Sequence, residues 1–396
     1  MMIYTAIRMN NIEKKSLIRI AFVECSSGFG GSAKCVYQFA SAIDITKYSP
    51  YIYCSNVVGW FESLKQVSSC VVTATHIKPT NEAQYGNRFK YIFKMADILL
   101  SIAKFPYFLM KFKEHKINIV HTNNNIYEHI PAFIAAKLLS VPIICHLHDQ
   151  TPLTSIEKIF IPLIDKFFVL SSVAKNIYLA DIPASKIQII RNGLLVKDYE
   201  KITINDNLVQ HLAVGVVGRL ISWKGQETLI RAAALIIKII PDVKFYIIGD
   251  DPNGDKTYGN DLRKMVAELG LDESVVFTGW INDPRQFIKA LDICVCTSIE
   301  PEPFGLVLLE SMILGTPVIS TRHGGPLDII DEGVDGYFYE PKSYKQLSDL
   351  ILMLLQDKKL MDSISKAATR KVIEKYDLGS IMSDIQINYD NCMTKL

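Results

Sequence analysis

Short apolar runs alternate along the chain with Gly- or Asn-containing turns and with stretches whose apolar residues recur at helical spacing. Strands are expected at Ile18–Cys25, Tyr51–Cys54, Ser69–Ala74, Ile117–Thr122, Pro142–Leu147, Lys166–Ser171 and Ile187–Arg191. A second series is expected at Leu212–Val217, Val243–Gly249, Val275–Thr278, Ile293–Thr297, Pro317–Thr321 and Gly336–Tyr339. Several are apolar throughout rather than alternating, such as Ile20–Val23 and Phe245–Ile248. That pattern suits strands covered by helices on both faces of a parallel sheet. Helical patterns fall between them: Ser32–Ile43 after a cluster of glycines, Gln226–Ile240 after Trp-Lys-Gly, and Leu306–Leu314 after Pro-Phe-Gly. The alternation predicts an open, doubly wound α/β sheet.

The polar stretch between Lys197 and His211 breaks the pattern and is the expected linker. The chain is thus expected to form two Rossmann-like domains, 1–200 and 205–379, facing a central cleft, with a terminal helix over about 380–396 packed back on the first. A length of 396 residues with 49% hydrophobic and 21% charged residues suits such a two-domain globular protein. The net charge of +2 argues against nucleic-acid binding through a broad basic face. Eight cysteines (25, 35, 54, 70, 145, 294, 296 and 392) include no C-x-x-C pair, so reduced buried thiols are expected rather than zinc or disulfides. The first sixteen residues hold no run suited to a signal peptide. The best membrane-spanning candidate, Met95–Met110, is short and carries Asp97, Lys104 and Pro106.

Three motifs carry candidate chemistry. Gly28-Phe-Gly30-Gly31-Ser-Ala33 follows the first strand and opens a helix, as a phosphate-approaching loop would. It also fits G-x-G-x-x-A, but the second strand ends Tyr53-Cys54-Ser55-Asn56, without the carboxylate that a dinucleotide's ribose needs. Gly218-Arg219…Lys224-Gly225 places two cations in a strand-to-helix loop, where they can bracket a diphosphate. The third motif runs Glu302-Pro303-Phe304-Gly305-Leu306-Val307…Glu310. Here one carboxylate stands on a loop and a second on the helix that the loop opens, so each can grip vicinal hydroxyls. The amides of Gly305–Val307 between them suit phosphate oxygens.

With these motifs in order, the chain resembles the retaining glycosyltransferases of family 4, which have the GT-B fold. The resemblance covers nearly the whole chain. It includes Arg191-Asn192-Gly193, Tyr-Ile-Ile-Gly249-Asp250, Phe-Thr-Gly279-Trp280, Gly-Thr-Pro-Val-Ile and Gly324-Gly325. It implies donor binding by Gly30, Gly31, Arg219, Lys224, Gly249, Glu302, Phe304, Gly305, Leu306, Val307 and Glu310. The diphosphate would lie on Arg219 and Lys224, the sugar at Glu302, the ribose at Glu310, and the base near Gly279, Trp280 and Ile281. Glu302, Arg219, Lys224 and His148 form the implied catalytic set, and Asn123 and His148 the acceptor side. Two departures stand out: Asp328 occupies a position where the family has Glu, and Asn123 one where some members have a second histidine.

The resemblance implies transfer from a nucleotide sugar, a UDP- or GDP-sugar, to a saccharide hydroxyl in cell-surface glycan synthesis. It further implies retention, no metal and no other cofactor. No Asp-x-Asp stands in a plausible metal-binding loop. Residues 86–116 hold seven aromatics and seven Lys or Arg against two acids, +5 locally. Tyr91, Tyr107 and Phe108 among Lys90, Lys94, Lys104, Lys111 and Lys113 are expected to form a surface for anionic lipid. That reading makes the protein cytoplasmic, peripheral at the inner face of the plasma membrane, with a lipid-linked acceptor. A sugar-nucleotide epimerase and a nicotinamide-dependent oxidoreductase remain the alternatives.

Overall fold

The computed structural model describes residues 17–24, 31–54, 61–73, 102–203, 211–250 and 256–394. The glycines at 28 and 30, the core of the expected linker (204–210) and the basic-aromatic stretch up to 101 lie outside the described residues. Each of the thirteen expected strands coincides with a strand of the structure. The first series is β1 (Ile18–Glu24), β2 (Tyr48–Cys54), β3 (Cys70–Thr73), β4 (Ile119–Asn124), β5 (Ile143–Leu147), β6 (Lys166–Val169) and β7 (Ile187–Ile189). The second is β8 (Ala213–Val217), β9 (Lys244–Ile248), β10 (Val275–Gly279), β11 (Ile293–Cys296), β12 (Val318–Thr321) and β13 (Tyr337–Tyr339).

They form two sheets, ordered β3-β2-β1-β4-β5-β6-β7 and β10-β9-β8-β11-β12-β13. Pairings among β1–β4 and among β8–β13 are parallel. The architecture is therefore two Rossmann-like α/β sheets. Burial follows the apolar runs, and Ile20–Val23 and Phe245, Ile247 and Ile248 are at most 1% exposed. β2 begins three residues earlier than the pattern suggested, because it tolerates Pro50. The Pro50 carbonyl accepts from the Ser69 amide on the β3 side, and that strand begins only opposite Tyr51. The missing N–H therefore faces no ladder partner.

By packing, the chain divides into two compact units: Met1–His146 with Ser155–Phe167 and Gln386–Leu396, and Leu147–Thr154 with Phe168–Ile385. In the first unit, His121 and His146 stack with ring centroids 5.6 Å apart, and Phe39 lies parallel to His146. Tyr389, from the helix Leu378–Met393, meets His121 Nδ1 at 2.6 Å through its hydroxyl. The same helix is held by Asp390, which accepts from Tyr48 and pairs with Lys47.

Two expectations need correction. The start of the polar linker is structured: Lys197–Glu200 is a short helix, and Tyr199 and Ile202 pack into the core of the second unit. The Lys- and Glu-rich pattern concealed one buried tyrosine. In the basic-aromatic stretch, Phe108 is not a surface residue. It is buried with Phe112 against Tyr53, since the helix Phe105–Glu114 turns that face inward. Lys111 is engaged by Glu114 at 2.7 Å. Among the described residues, no helix is long and apolar enough to cross a membrane.

Candidate functional site

In the second sheet the chain leaves β8 for β9 and β10 on one side, then returns to β11 on the other. The switch point therefore lies between β8 and β11, where a doubly wound sheet opens a crevice at its carboxyl edge. The loops leaving these two strands carry Arg219 and Lys224 (218–225) and Glu302 (297–305).

The two loops interlock. The Thr297 hydroxyl donates to the Lys224 carbonyl at 2.6 Å, and the Ile299 amide to the Trp223 carbonyl at 2.7 Å. Gly225, at φ +61°, is the residue this approach demands, since a Cβ there would lie 2.4 Å from the Thr297 carbonyl oxygen. Lys224 Nζ then meets Glu302 Oε2 at 2.5 Å and lies 4.3 Å from the centre of the Trp223 ring. The same carboxylate oxygen accepts from the Ser298 hydroxyl at 2.8 Å. His323 Nε2 lies 2.8 Å from the Ser298 carbonyl, which can only accept, so that nitrogen carries the proton. Gly324 and Gly325 complete the frame. The Gly325 amide donates to the Glu302 carbonyl at 2.7 Å, and a Cβ on Gly324 would fall 2.4 Å from that oxygen.

Phe304 is not a lining side chain. It is buried edge-on against Tyr376 and anchors the turn. Gly305 follows at φ +103° as N-cap of the helix Leu306–Ile313, and no side chain caps that end. The amides of Leu306 and Val307 thus form an N-terminus suited to an anion. One turn on, Glu310 is 5% exposed and accepts from the Tyr199 hydroxyl at 3.1 Å. Burial and the neighbouring Glu310 carboxylate both push the Tyr199 phenol upward, so it stays neutral and donates.

Of the other expected site residues, Arg219 is exposed, and its carbonyl is held by Gln226 Nε2 at 2.8 Å. Gly249, at φ +135°, lets its strand end meet the first loop, since a Cβ there would lie 2.1 Å from the Gly218 oxygen. Its amide donates to the carbonyl of Gly279, itself at φ +69° with open space where a Cβ would stand. Trp280 is 48% exposed and donates to Asn282, while Ile281 and Val307 pack on the same small cluster as Tyr246. His148 stands in the segment 147–154 of this unit. Its neighbour Asp149 accepts from the Tyr178 hydroxyl, and Gln150 Nε2 donates to the Pro303 carbonyl at 3.0 Å. Asp328 accepts from the amide and hydroxyl of Ser172 and lies 3.4 Å from Arg191. Asn123 and Gly31 belong to the first unit. There Asn123 is 1% exposed and donates to Glu24, and Gly31 begins the helix Gly31–Ala42.

Sequence reasoning missed Ser298, His323, Gln150 and Tyr199. The only local signal was Ser298 standing four residues before Glu302, since the other three act across 25, 153 and 111 residues.

Residues 201–371 match the family described as Glycosyl transferases group 1, and residues 29–195 the one described as Glycosyltransferase Family 4. The lipopolysaccharide core biosynthesis glycosyltransferase LpsE of Rhizobium meliloti is 31% identical over 42% of this chain and 46% of its own length. The sulfoquinovosyl transferase SQD2 of Arabidopsis thaliana is 25% identical over 85% of this chain and 71% of that protein. The alignments with the first three curated relatives span 33% to 53% of those proteins' lengths. Among solved structures, Anabaena Alr3699/HepE in complex with UDP superposes with a TM-score of 0.79 at 22% identity, over 94% of this chain and all of that one.

Proposed function

Since this chain belongs to the group 1 glycosyltransferases, we propose that it moves a glycosyl group from a nucleotide sugar to a saccharide hydroxyl with retention at the anomeric carbon. The observation that carries this reading is the convergence, at the switch point of one sheet, of Lys224, Glu302, an uncapped helix N-terminus and Glu310. The leaving diphosphate gathers negative charge as its bond to the anomeric carbon breaks. Lys224, Arg219 and the amides of Leu306 and Val307 are suited to stabilise that charge. Glu302 takes the sugar hydroxyls and Glu310 the ribose. The acceptor oxygen bonds to the anomeric carbon as its proton passes to the departing phosphate oxygen. His148, two residues from the Gln150 contact with Pro303, is the acceptor-side candidate.

The name of LpsE supports a cell-surface glycan as product, and a lipid-linked acceptor is the finer form of the same proposal. The described part of the basic stretch supports a membrane-facing role through one expected lysine, Lys113, and three residues outside the expected set. Pro106, Met110 and Lys113 are exposed on one side of the helix Phe105–Glu114, with Lys116 exposed just beyond it. Replacing Met110, Lys113 and Lys116 with Ser should lower binding to anionic vesicles and leave donor hydrolysis intact. Unchanged vesicle binding would remove the membrane from the proposal.

The central test is a panel of UDP- and GDP-sugars, with a saccharide acceptor and without. Slow hydrolysis to a sugar of unchanged anomeric configuration supports the transferase. Interconversion of the donor sugar would make the protein an epimerase, and binding of NADH alone would overturn the reading.

A further inference from the structure

Glu310 does not stand free on its helix, and its partner comes from the stretch expected to be a linker. Tyr199 is 6% exposed, and its hydroxyl reaches Glu310 Oε1 across 111 residues. The tyrosine is itself clamped. Arg285 lies 5.5 Å from the centre of its ring and donates to the Asp198 carbonyl at 3.1 Å, while Asp283 holds that guanidinium through Nε and Nη2 at 2.7 and 2.6 Å. Four residues beyond Arg285, Lys289 donates to the Ile202 carbonyl at 2.5 Å. A segment with little apolar content is thus tied on both sides of Tyr199 by the helix Arg285–Ala290.

We infer that Tyr199 is a positioning residue for donor recognition: it occupies one oxygen of Glu310, fixes the plane of that carboxylate, and turns the other oxygen toward the ribose hydroxyls of the nucleotide. The inference rests on the proposed role of Glu310. A glutamate carboxylate on three rotatable bonds can turn away from a ligand, whereas one tied through Oε1 in a buried site cannot turn without leaving a polar group unpaired. The consequence is selectivity for ribose over deoxyribose, since a site built to accept from a hydroxyl discriminates against the analogue lacking it.

The test measures dissociation constants by calorimetry. UDP and GDP are compared first, and the tighter one is then set against its 2′-deoxy and 3′-deoxy counterparts. Wild type should prefer the ribonucleotide, and Tyr199→Phe should reduce that preference roughly tenfold while changing the affinity for the deoxy forms little. Arg285→Met, which frees the clamp but keeps the hydroxyl, should give a smaller loss in the same direction. In the double variant with Glu310→Gln, Tyr199→Phe should add almost nothing, because the two act as one unit. A purely structural tyrosine would instead lower the melting temperature and weaken ribo and deoxy ligands alike. If wild type discriminates and Glu310→Gln abolishes discrimination while Tyr199→Phe preserves it, this inference falls and the ribose role of Glu310 stands. If wild type binds neither nucleotide, or binds ribo and deoxy forms equally, the donor reading falls and takes this inference with it.

Discussion

Both sheets end in polar residues, yet the two ends treat them in opposite ways. In the first unit Glu24, Asn123, His121 and His146 are all at most 1% exposed, and the described bonds run inward, from Asn123 to Glu24 and between His121 and Tyr389. In the second unit the side chains of Lys224 and Glu302 keep 22% and 13% of their surface and sit on loops shaped by glycines at positive φ. A polar residue at a strand end is therefore a poor sign of chemistry by itself. What separates the two ends is whether backbone close approach has been spent on holding charges at a surface. By that criterion Asn123 resembles a packing residue, while Lys224 and Glu302 resemble a site.

The sharpest break of this contrast is Lys224→Ala. It should slow transfer by a factor of 100 or more, equivalent to about 3 kcal/mol of lost charge stabilisation, with little change in fold. Asn123→Ala, measured in the same assay, should cost stability before it costs turnover, and equal kinetic losses would erase the distinction. Next comes Gly324→Ala. Its Cβ would meet the Glu302 backbone at a residue with φ +70°, and the strain should destabilise the second unit by about 2 kcal/mol in a urea titration.

The third prediction concerns acid. Burial, and then the neighbouring His146, hold His121 well below the ordinary histidine range, so the unfolded chain binds its proton more readily than the folded one. The stability this confers is present above a pH of about 6.5 and is lost progressively as pH falls below it, by between about 1 and 2 kcal/mol one pH unit lower. Melts of wild type and His121→Phe from pH 7.5 to 5 should converge on acidification, and parallel curves would contradict the buried-pair account. The smallest effect belongs to Tyr389→Phe, which removes only the hydroxyl at His121 and should cost about 1 kcal/mol, read in the same melts.

The strands of the second unit were legible because parallel strands buried on both faces must be apolar throughout, and Phe245–Ile248 could hardly be anything else. The Glu302–Glu310 unit was legible because all its parts lie within nine residues. What could not be read was every contact joining distant segments. Nothing around Lys197–Glu200 announces that one tyrosine turns inward to a glutamate on another helix. Gln150 and Pro303 likewise give no local hint of each other. Phe108 shows the converse error. Aromatics among lysines suit a membrane surface and a helix packed on a sheet equally well, and only the phase of that helix against Tyr53 decides between them.

The pairing of Lys224 with Glu302 carries one last consequence, which concerns when disorder is given up. A lysine side chain loses about 2 kcal/mol of rotamer freedom when it is held in one place. Here the ammonium already lies over the Trp223 ring and already has an anion, so that loss falls on folding rather than on ligand capture. On the donor role proposed for Lys224, an incoming diphosphate would only replace one anionic partner with another. Release should be correspondingly easy, because Glu302 waits to take the charge back as the nucleotide leaves.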